Sequence, residues 1–183
     1  LRLDDTEIPY AEFADQAARF AGYLRATGVA EGDRVAVLAP NCLEYLVAIL
    51  GSWQAGAIGV PLNYMFPDAP LRHALLDSGA RLVVLPPGDV ERVERVLGAD
   101  TPVFLTTGPE GSFATALGEA EPLDGVVPRL DGDDALLMYT SGSTGVPKGV
   151  RQTHRNIAAQ VDGAIEVYEL SGDDHVLNCM PMF

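Results

Sequence analysis

Short, almost entirely apolar segments alternate with longer helical segments along most of the chain, and this alternation constrains the fold more than any other feature. Strands that are buried on both faces have nearly continuous apolar sequences, which is typical of a parallel sheet covered by helices. The predicted strands are Arg34–Ala39, Ile58–Pro61, Arg81–Leu85, Pro102–Thr106 and Ala135–Tyr139, and another begins at Val176–Cys179. The pattern predicts an α/β fold, in which a layered, mostly parallel sheet has flanking helices.

The helical segments have apolar residues at spacings of three and four, as in the run from Tyr10 to Leu24. Gly79 follows one of these segments and is a typical helix stop. The predicted helices are Tyr10–Arg25, Cys42–Gly56, Ala69–Ser78, Val90–Leu97 and Asn156–Tyr168. The acidic segment Leu117–Asp134 contains glycine and proline and predicts a surface connection. No internal repeat or domain boundary is visible.

The chain is strongly acidic, because 12 Lys and Arg residues against 26 Asp and Glu residues give a formal net charge of −14. A nucleic-acid-binding protein presents a basic surface, so we expect no DNA or RNA partner. The longest apolar stretch, residues 42–61, is interrupted by Glu44, Gln54 and several glycines, which predicts no membrane span. The two cysteines, Cys42 and Cys179, are expected to be reduced, buried thiols of a cytoplasmic protein.

The segment with the clearest chemical signature is Met138–Arg151, with the sequence MYTSGSTGVPKGVR. Its centre contains only hydroxyl residues and glycines: Thr140, Ser141, Gly142, Ser143, Thr144 and Gly145. Glycines let successive backbone N–H groups converge on an anion, and small hydroxyl side chains add further donors. Lys148 adds the positive charge that a phosphate needs in so acidic a chain. Because the segment follows a predicted buried strand, we interpret it as a phosphate-binding loop.

This segment differs from the common P-loop, in which Gly-Lys is followed by Ser or Thr. Here Lys148 lies between Pro147 and Gly149, and residues 150–153 are predicted to be extended. A flexible Gly/Ser linker has a similar composition, but linkers repeat and do not lie between a buried strand and Pro-Lys-Gly. Because the residues after Lys148 are predicted to be extended, a helix N-terminus is not expected to be the main phosphate contact.

The sequence YTSGSTGVPKGV, residues 139–150, resembles the phosphate-loop signature of the adenylate-forming (AMP-binding) superfamily, and a match of this length is highly specific. That superfamily includes acyl- and aryl-CoA ligases, adenylation domains of peptide synthetases and firefly luciferases. Similar motifs surround it: GDRV at 32–35, Pro40-Asn41, GAIGVPLN at 56–63, LDSGA at 76–80, and Thr153-His154-x-Asn156. The resemblance covers nearly the whole chain.

The resemblance implies the two-step reaction of an acid-CoA ligase similar to fatty-acid-CoA ligases. A carboxylate attacks the α-phosphate of ATP, and the thiol of CoA then displaces AMP from the acyl-adenylate. By position, the triphosphate would be held by Thr140, Ser141, Gly142, Ser143, Thr144, Gly145 and Lys148. Thr140 is the first candidate for a hydroxyl next to Mg²⁺, and no residue of the chain is assigned a catalytic role.

The resemblance also implies that residues 1–183 are the N-terminal portion of the AMP-binding domain, inactive alone, with Met180–Phe183 at the start of the next family motif. A layered sheet without its second half would expose an apolar face, which predicts self-association, as a homo-oligomer or an aggregate. Two alternatives stay open: an adenylation domain that loads a carrier protein, and a non-catalytic nucleotide-binding scaffold. The identity of the acyl group is not predicted.

Outside the loop, the chain has few candidates for chemistry. His73 is predicted to be solvated, His154 to fix the turn into the following helix, and Tyr139 to pack rather than react. His175 follows Asp173-Asp174, which is weak evidence for a metal site because such sites usually need three or more ligands.

Overall fold

A computed structural model describes residues 1–3, 6–98, 102–140 and 146–183 of the chain. Its strands are β1 (Arg2–Leu3), β2 (Thr6–Glu7), β3 (Arg34–Val37), β4 (Ile58–Pro61), β5 (Leu82–Leu85), β6 (Val103–Thr106), β7 (Asp134–Thr140) and β8 (Lys148–Thr153). Its helices are α1 (Tyr10–Ala26), α2 (Leu43–Gln54), α3 (Asp68–Ser78), α4 (Val90–Leu97), α5 (Ser112–Glu119) and α6 (His154–Tyr168). Five of the predicted strands and all five predicted helices are confirmed, with small shifts at their ends.

The main sheet has the strand order β6-β5-β3-β4-β7-β8, and β1 and β2 form a separate antiparallel pair. The strands from β6 to β7 pair in parallel, and β8 turns back to pair antiparallel with β7. The predicted mostly parallel sheet is thus confirmed. β4 pairs on one side of β3 and β5 on the other, so the connections that follow β3 and β4 run in opposite directions across the sheet. They diverge at the point between these two strands. In open parallel sheets, ligands bind at the carboxyl ends of the strands beside such a point.

Alternate residues of the central strands pack on opposite faces of the sheet, as the two-residue period of a strand requires. Val35 and Val37 of β3 lie in a core formed with α1, α2 and α5. Ala36 and Leu38 lie in a second core, formed with α3 and α4. The two cores explain why the strands are almost wholly apolar.

Helix α5 is missed by the sequence pattern, and its last residues fall in the segment 117–134 that we predicted to be a surface connection. The helix has eight residues, follows Gly111 without a side-chain cap and contains Gly118. Tertiary packing stabilises it instead: the buried Phe113 ring lies 5.0 Å from the ring of Phe20 on α1. Because more than 90 residues separate Phe20 from Phe113, the sequence of the helix alone does not reveal this contact.

Residues 176–179 do not form the predicted strand. Val176 and Leu177 are 76% and 88% exposed, and no described strand pairs with this segment. A β-branched run becomes a strand only where a neighbouring strand supplies hydrogen bonds. Both cysteines are free, but Cys179 is exposed and Cys42 only half-buried, so the prediction of two buried thiols is also wrong.

Several large apolar side chains of the last helix and the segment after it are exposed, and together they are here called the α6 surface. It comprises Val161, Ile165, Val167, Tyr168, Val176 and Leu177. Helix α6 contacts β7 and β8 and has no buried residue. None of the described helices is both long enough and apolar enough to cross a membrane.

Candidate functional site

The antiparallel pairing of β7 and β8 brings two predicted site residues together. Thr140 at the end of β7 lies directly opposite Lys148 at the start of β8, and both are exposed. β7 and β8 thus form an antiparallel pair, here called the hairpin, and the extended conformation predicted for residues 150–153 is confirmed. The other predicted phosphate ligands lie outside the described residues: Ser141, Gly142, Ser143, Thr144 and Gly145.

Lys148 is the only lysine of the chain, a fact that the motif alone does not reveal. Its side chain makes no ion pair or hydrogen bond with any residue that the structure describes. Ion pairs occupy most of the arginines: Arg19, Arg34, Arg81, Arg92, Arg95, Arg129, Arg151 and Arg155. In a chain with a net charge of −14, an uncompensated cation beside Thr140 is a local attraction for an anion.

Helix α3 contacts the residues that precede Thr140 and Lys148 in the chain, Tyr139 and Pro147. The Tyr139 hydroxyl donates a 2.7 Å hydrogen bond to Asp77 Oδ2. Burial, assisted by the Asp77 carboxylate, raises the pKa of Tyr139 above its usual range, so the phenol keeps its proton and donates. His73 Nε2 lies 3.0 Å from the carbonyl oxygen of Pro147. A carbonyl only accepts, so Nε2 is the protonated nitrogen in this contact.

The prediction that His73 is solvated is therefore wrong, because its ring is half-buried and bonded to the backbone of residue 147. Tyr139 packs as predicted, but it also holds Asp77, a residue of the LDSGA motif to which the sequence analysis gave no role. Only the spacing of His73 and Asp77, four residues apart on one helix face, could have suggested a common partner. Their partners lie more than 60 residues away in sequence.

A second cluster lies at the carboxyl ends of β3 and β4, where the connections of the sheet diverge. Asn41, which follows β3, donates from Nδ2 to the carbonyl of Met180 at 2.9 Å and accepts from the amide of Met182 at 3.0 Å. The Tyr45 hydroxyl also donates to the Met182 carbonyl, and the Phe183 ring packs edge-on against Tyr64 at 5.6 Å. The segment 180–183 is thereby fixed across the end of the sheet that is expected to bind ligands.

The remaining predicted candidates have structural roles. Thr153 caps α6 through a reciprocal capping box with Asn156, and the His154 amide that follows donates to the Asp133 carbonyl at 3.0 Å. His154 therefore lies at the turn into α6, as predicted. Asp174 accepts from the amide and hydroxyl of Ser171, and these hydrogen bonds lower its pKa. In the described part of the chain, no three His, Cys, Asp or Glu side chains are grouped to hold a metal ion.

Comparison with known proteins decides the family. The model of the AMP-binding enzyme family matches residues 2–183. The chain belongs to the AMP-binding enzyme family. Among its curated relatives, a feruloyl-CoA synthase of an Amycolatopsis species is 40% identical over the whole chain. The long-chain-fatty-acid–CoA ligase FadD13 of Mycobacterium tuberculosis is 32% identical over 98% of the chain.

Solved structures of this family share the fold. The ATP-bound crystal structure of MatB from Rhodopseudomonas palustris superposes with a TM-score of 0.89 at 29% identity, and covers 99% of the chain and 39% of its own length. The two curated relatives are likewise matched over 36% of their length. The chain thus spans little more than a third of the AMP-binding enzymes it resembles, and the α/β architecture predicted from its sequence is that of their N-terminal domains.

Proposed function

We propose that the protein with this chain activates a carboxylic acid with ATP and transfers the acyl group to CoA. The observation that carries the proposal is the pairing of Lys148, unpaired with any described carboxylate, opposite Thr140 within the family signature. The names of the relatives support the same reaction class, since a feruloyl-CoA synthase and a long-chain-fatty-acid–CoA ligase both make acyl-CoA thioesters.

In the first step, a carboxylate oxygen forms a bond to the α-phosphorus of ATP, and pyrophosphate leaves with the electron pair of the broken P–O bond. We infer that Lys148 and the hydroxyl of Thr140 hold the triphosphate, with Ser141, Gly142, Ser143, Thr144 and Gly145 as further proposed contacts. Donors and charges that meet the leaving pyrophosphate stabilise the transition state. In the second step, the sulfur of the CoA thiol forms a bond to the acyl carbon, AMP leaves with the electron pair of the broken C–O bond, and the thiol proton is released to solvent.

Magnesium is proposed to accompany the nucleotide. Mg²⁺ keeps several waters and binds substrate phosphates with only one or two protein ligands, which fits a single exposed hydroxyl at Thr140 better than a preformed cage. When bound, the ion neutralises charge on the phosphates as the pyrophosphate leaves. The described residues offer no cluster of three ligands that would compete with this arrangement.

The cellular setting is proposed on the same basis. Residues 1–183 would be the N-terminal portion of a larger AMP-binding domain, in a cytoplasmic enzyme of fatty-acid metabolism that is able to form a homo-oligomer. The match to about a third of each relative supports the proposal that residues 1–183 are part of a larger domain. The 32% identity to a long-chain-fatty-acid–CoA ligase supports the proposed role in fatty-acid metabolism.

The test is carboxylate-dependent exchange of pyrophosphate into ATP by the intact protein, with short-chain, long-chain and aromatic acids. We expect exchange with one class of acid, and a loss of about 10²–10³-fold in Lys148→Ala. The control, Arg25→Ala, removes one charge at an exposed arginine whose side chain makes no ion pair or hydrogen bond with the residues that the structure describes. No exchange with any acid by a folded protein would support a nucleotide-binding scaffold, and transfer to a carrier protein but not to CoA would support a carrier-loading domain.

A further inference from the structure

Each contact of α3 with the hairpin lies one residue from a proposed phosphate ligand. Tyr139, held by Asp77, immediately precedes Thr140, and Pro147, held by His73, immediately precedes Lys148. We propose that His73 and Asp77 are positioning residues, which hold the two strand ends so that Thr140 and Lys148 face a common phosphate group. The proposal rests on the proposed function and adds a role for a helix that the signature does not include.

The two positioning residues share one helix face. They are four residues apart on α3, a spacing that places side chains one turn above each other. The helix itself is rigidly seated, since Leu71, Ala74 and Leu75 are 0%, 0% and 4% exposed in the second core. Displacement of one strand end relative to the other would therefore require one of the two hydrogen bonds to break.

The hairpin needs such support because of its place in the fold. β8 is the edge strand of the sheet, and among the described strands it pairs only with β7. Most of its residues are exposed, so little burial fixes it. The contacts at Tyr139 and Pro147 attach the end of the β7–β8 pair to helix α3. Alignment of charged groups with a reacting phosphate is sensitive to displacements of about 1 Å, which can cost about 10²-fold in rate.

The test uses single substitutions in the intact protein: Tyr139→Phe and Asp77→Ala for one contact, and His73→Ala for the other. We expect each to raise the KM for ATP about five- to twentyfold, with the carboxylate KM changed less than about twofold. Tyr139→Phe combined with Asp77→Ala should be no worse than either alone, because the two changes remove the same hydrogen bond. His73→Gln, which keeps a donor, should recover much of the loss.

Matched controls separate positioning from a general effect of the substitutions. Tyr10→Phe changes a tyrosine that is 75% exposed, and Asp124→Ala changes an exposed carboxylate that bonds to no described residue. Both should leave the ATP KM unchanged. The proposal is overturned if the α3 variants leave the ATP KM unchanged, or raise both KM values equally while the melting temperature falls.

Calorimetric titration with ATP distinguishes failure of the inference from failure of the proposed function. If the wild-type protein catalyses no exchange but binds ATP, and His73→Ala and Asp77→Ala weaken that binding at least fivefold, the positioning role stands and the proposed reaction fails. If exchange occurs and neither variant alters ATP binding or KM, the reaction stands and the positioning role fails. A wild-type protein that does not bind ATP would contradict both.

Discussion

Gly149 lies directly opposite Tyr139 in the β7–β8 pairing, and the tyrosine ring packs over the glycine. A methyl group added to Gly149 would lie 3.0 Å from Leu137 Cδ1 and 3.4 Å from Tyr139 Cζ. The tighter of these contacts is with Leu137, and the distance to the Tyr139 ring is an ordinary van der Waals contact, so the glycine of the Pro-Lys-Gly sequence mainly gives room to Leu137. Gly149 leaves space for the side chains packed against it. Its φ angle is outside the left-handed range that favours glycine.

The first prediction follows from that contact. Gly149→Ala should crowd Leu137 and, less closely, the Tyr139 ring, and so cost about 1 kcal/mol of stability, at the lower end of the range for overpacking. Because Tyr139 is the residue before Thr140, the change should also raise the ATP KM of the intact protein. Gly88→Ala is the control, because a methyl group at Gly88 meets no atom within 4 Å. Chemical denaturation and steady-state kinetics measure both effects, and equal behaviour of the two variants would contradict the packing argument.

The second prediction concerns the segment 180–183. Asn41→Ala removes the two hydrogen bonds between Asn41 and this segment, one of which binds the Met182 amide, so deuterium uptake at that amide should increase by at least tenfold in rate. Asn41→Asp keeps an oxygen acceptor for that amide and should increase exchange much less. Mass spectrometry of peptides from the intact protein measures the difference. Unchanged protection in Asn41→Ala would mean that Asn41 does not hold the segment.

The third prediction concerns the two thiols. Burial raises the pKa of the Cys42 thiol to about 11, whereas Cys179 is exposed. At pH 8 iodoacetamide should therefore modify Cys179 at least tenfold faster than Cys42, because the thiolate is the reactive form. The folded-state pKa of Cys42 lies above the unfolded value near 9, so its contribution to stability is complete below pH 9 and is lost as the pH rises towards 11. Faster labelling of Cys42 than of Cys179 would contradict this account.

The fourth prediction concerns the α6 surface. A protein of residues 1–183 alone should self-associate, because apolar side chains such as Ile165 and Leu177 are 47% and 88% exposed. Sedimentation should show species larger than a monomer at micromolar concentration, and Ile165→Lys with Leu177→Lys should shift the distribution towards the monomer. The equivalent change at an isolated exposed residue, Val103→Lys, is the control. A stable wild-type monomer would show that this surface does not drive association.

The sequence predicts those features that depend on local pattern. Five strands and five helices follow from periodicity and stop signals, and the extended residues after Lys148 follow from the local sequence, whereas the phosphate-binding role of Thr140–Lys148 stays a prediction. The features it misses depend on contacts between distant segments. α5 is held by Phe113 against Phe20, the contacts of His73 and Asp77 cross more than 60 residues, and those of Asn41 cross about 140.

The prediction of a strand at 176–179 fails for the related reason that a strand requires a partner. Val176 and Leu177 have the composition of a buried strand, yet no described strand lies beside them. Local composition therefore identifies which segments are able to be strands, and the order of the sheet determines which of them become strands.

The proposed contact between Lys148 and the phosphates of ATP makes the reactivity of this lysine, the only one in residues 1–183, dependent on bound nucleotide. The intact protein would be treated with an amine-acetylating reagent, and modification of Lys148 followed by mass spectrometry of its peptide. We predict that ATP with Mg²⁺, and pyrophosphate with Mg²⁺, slow the acetylation of Lys148 at least fivefold, whereas AMP protects it much less. Equal rates of acetylation with and without saturating ATP would contradict the account.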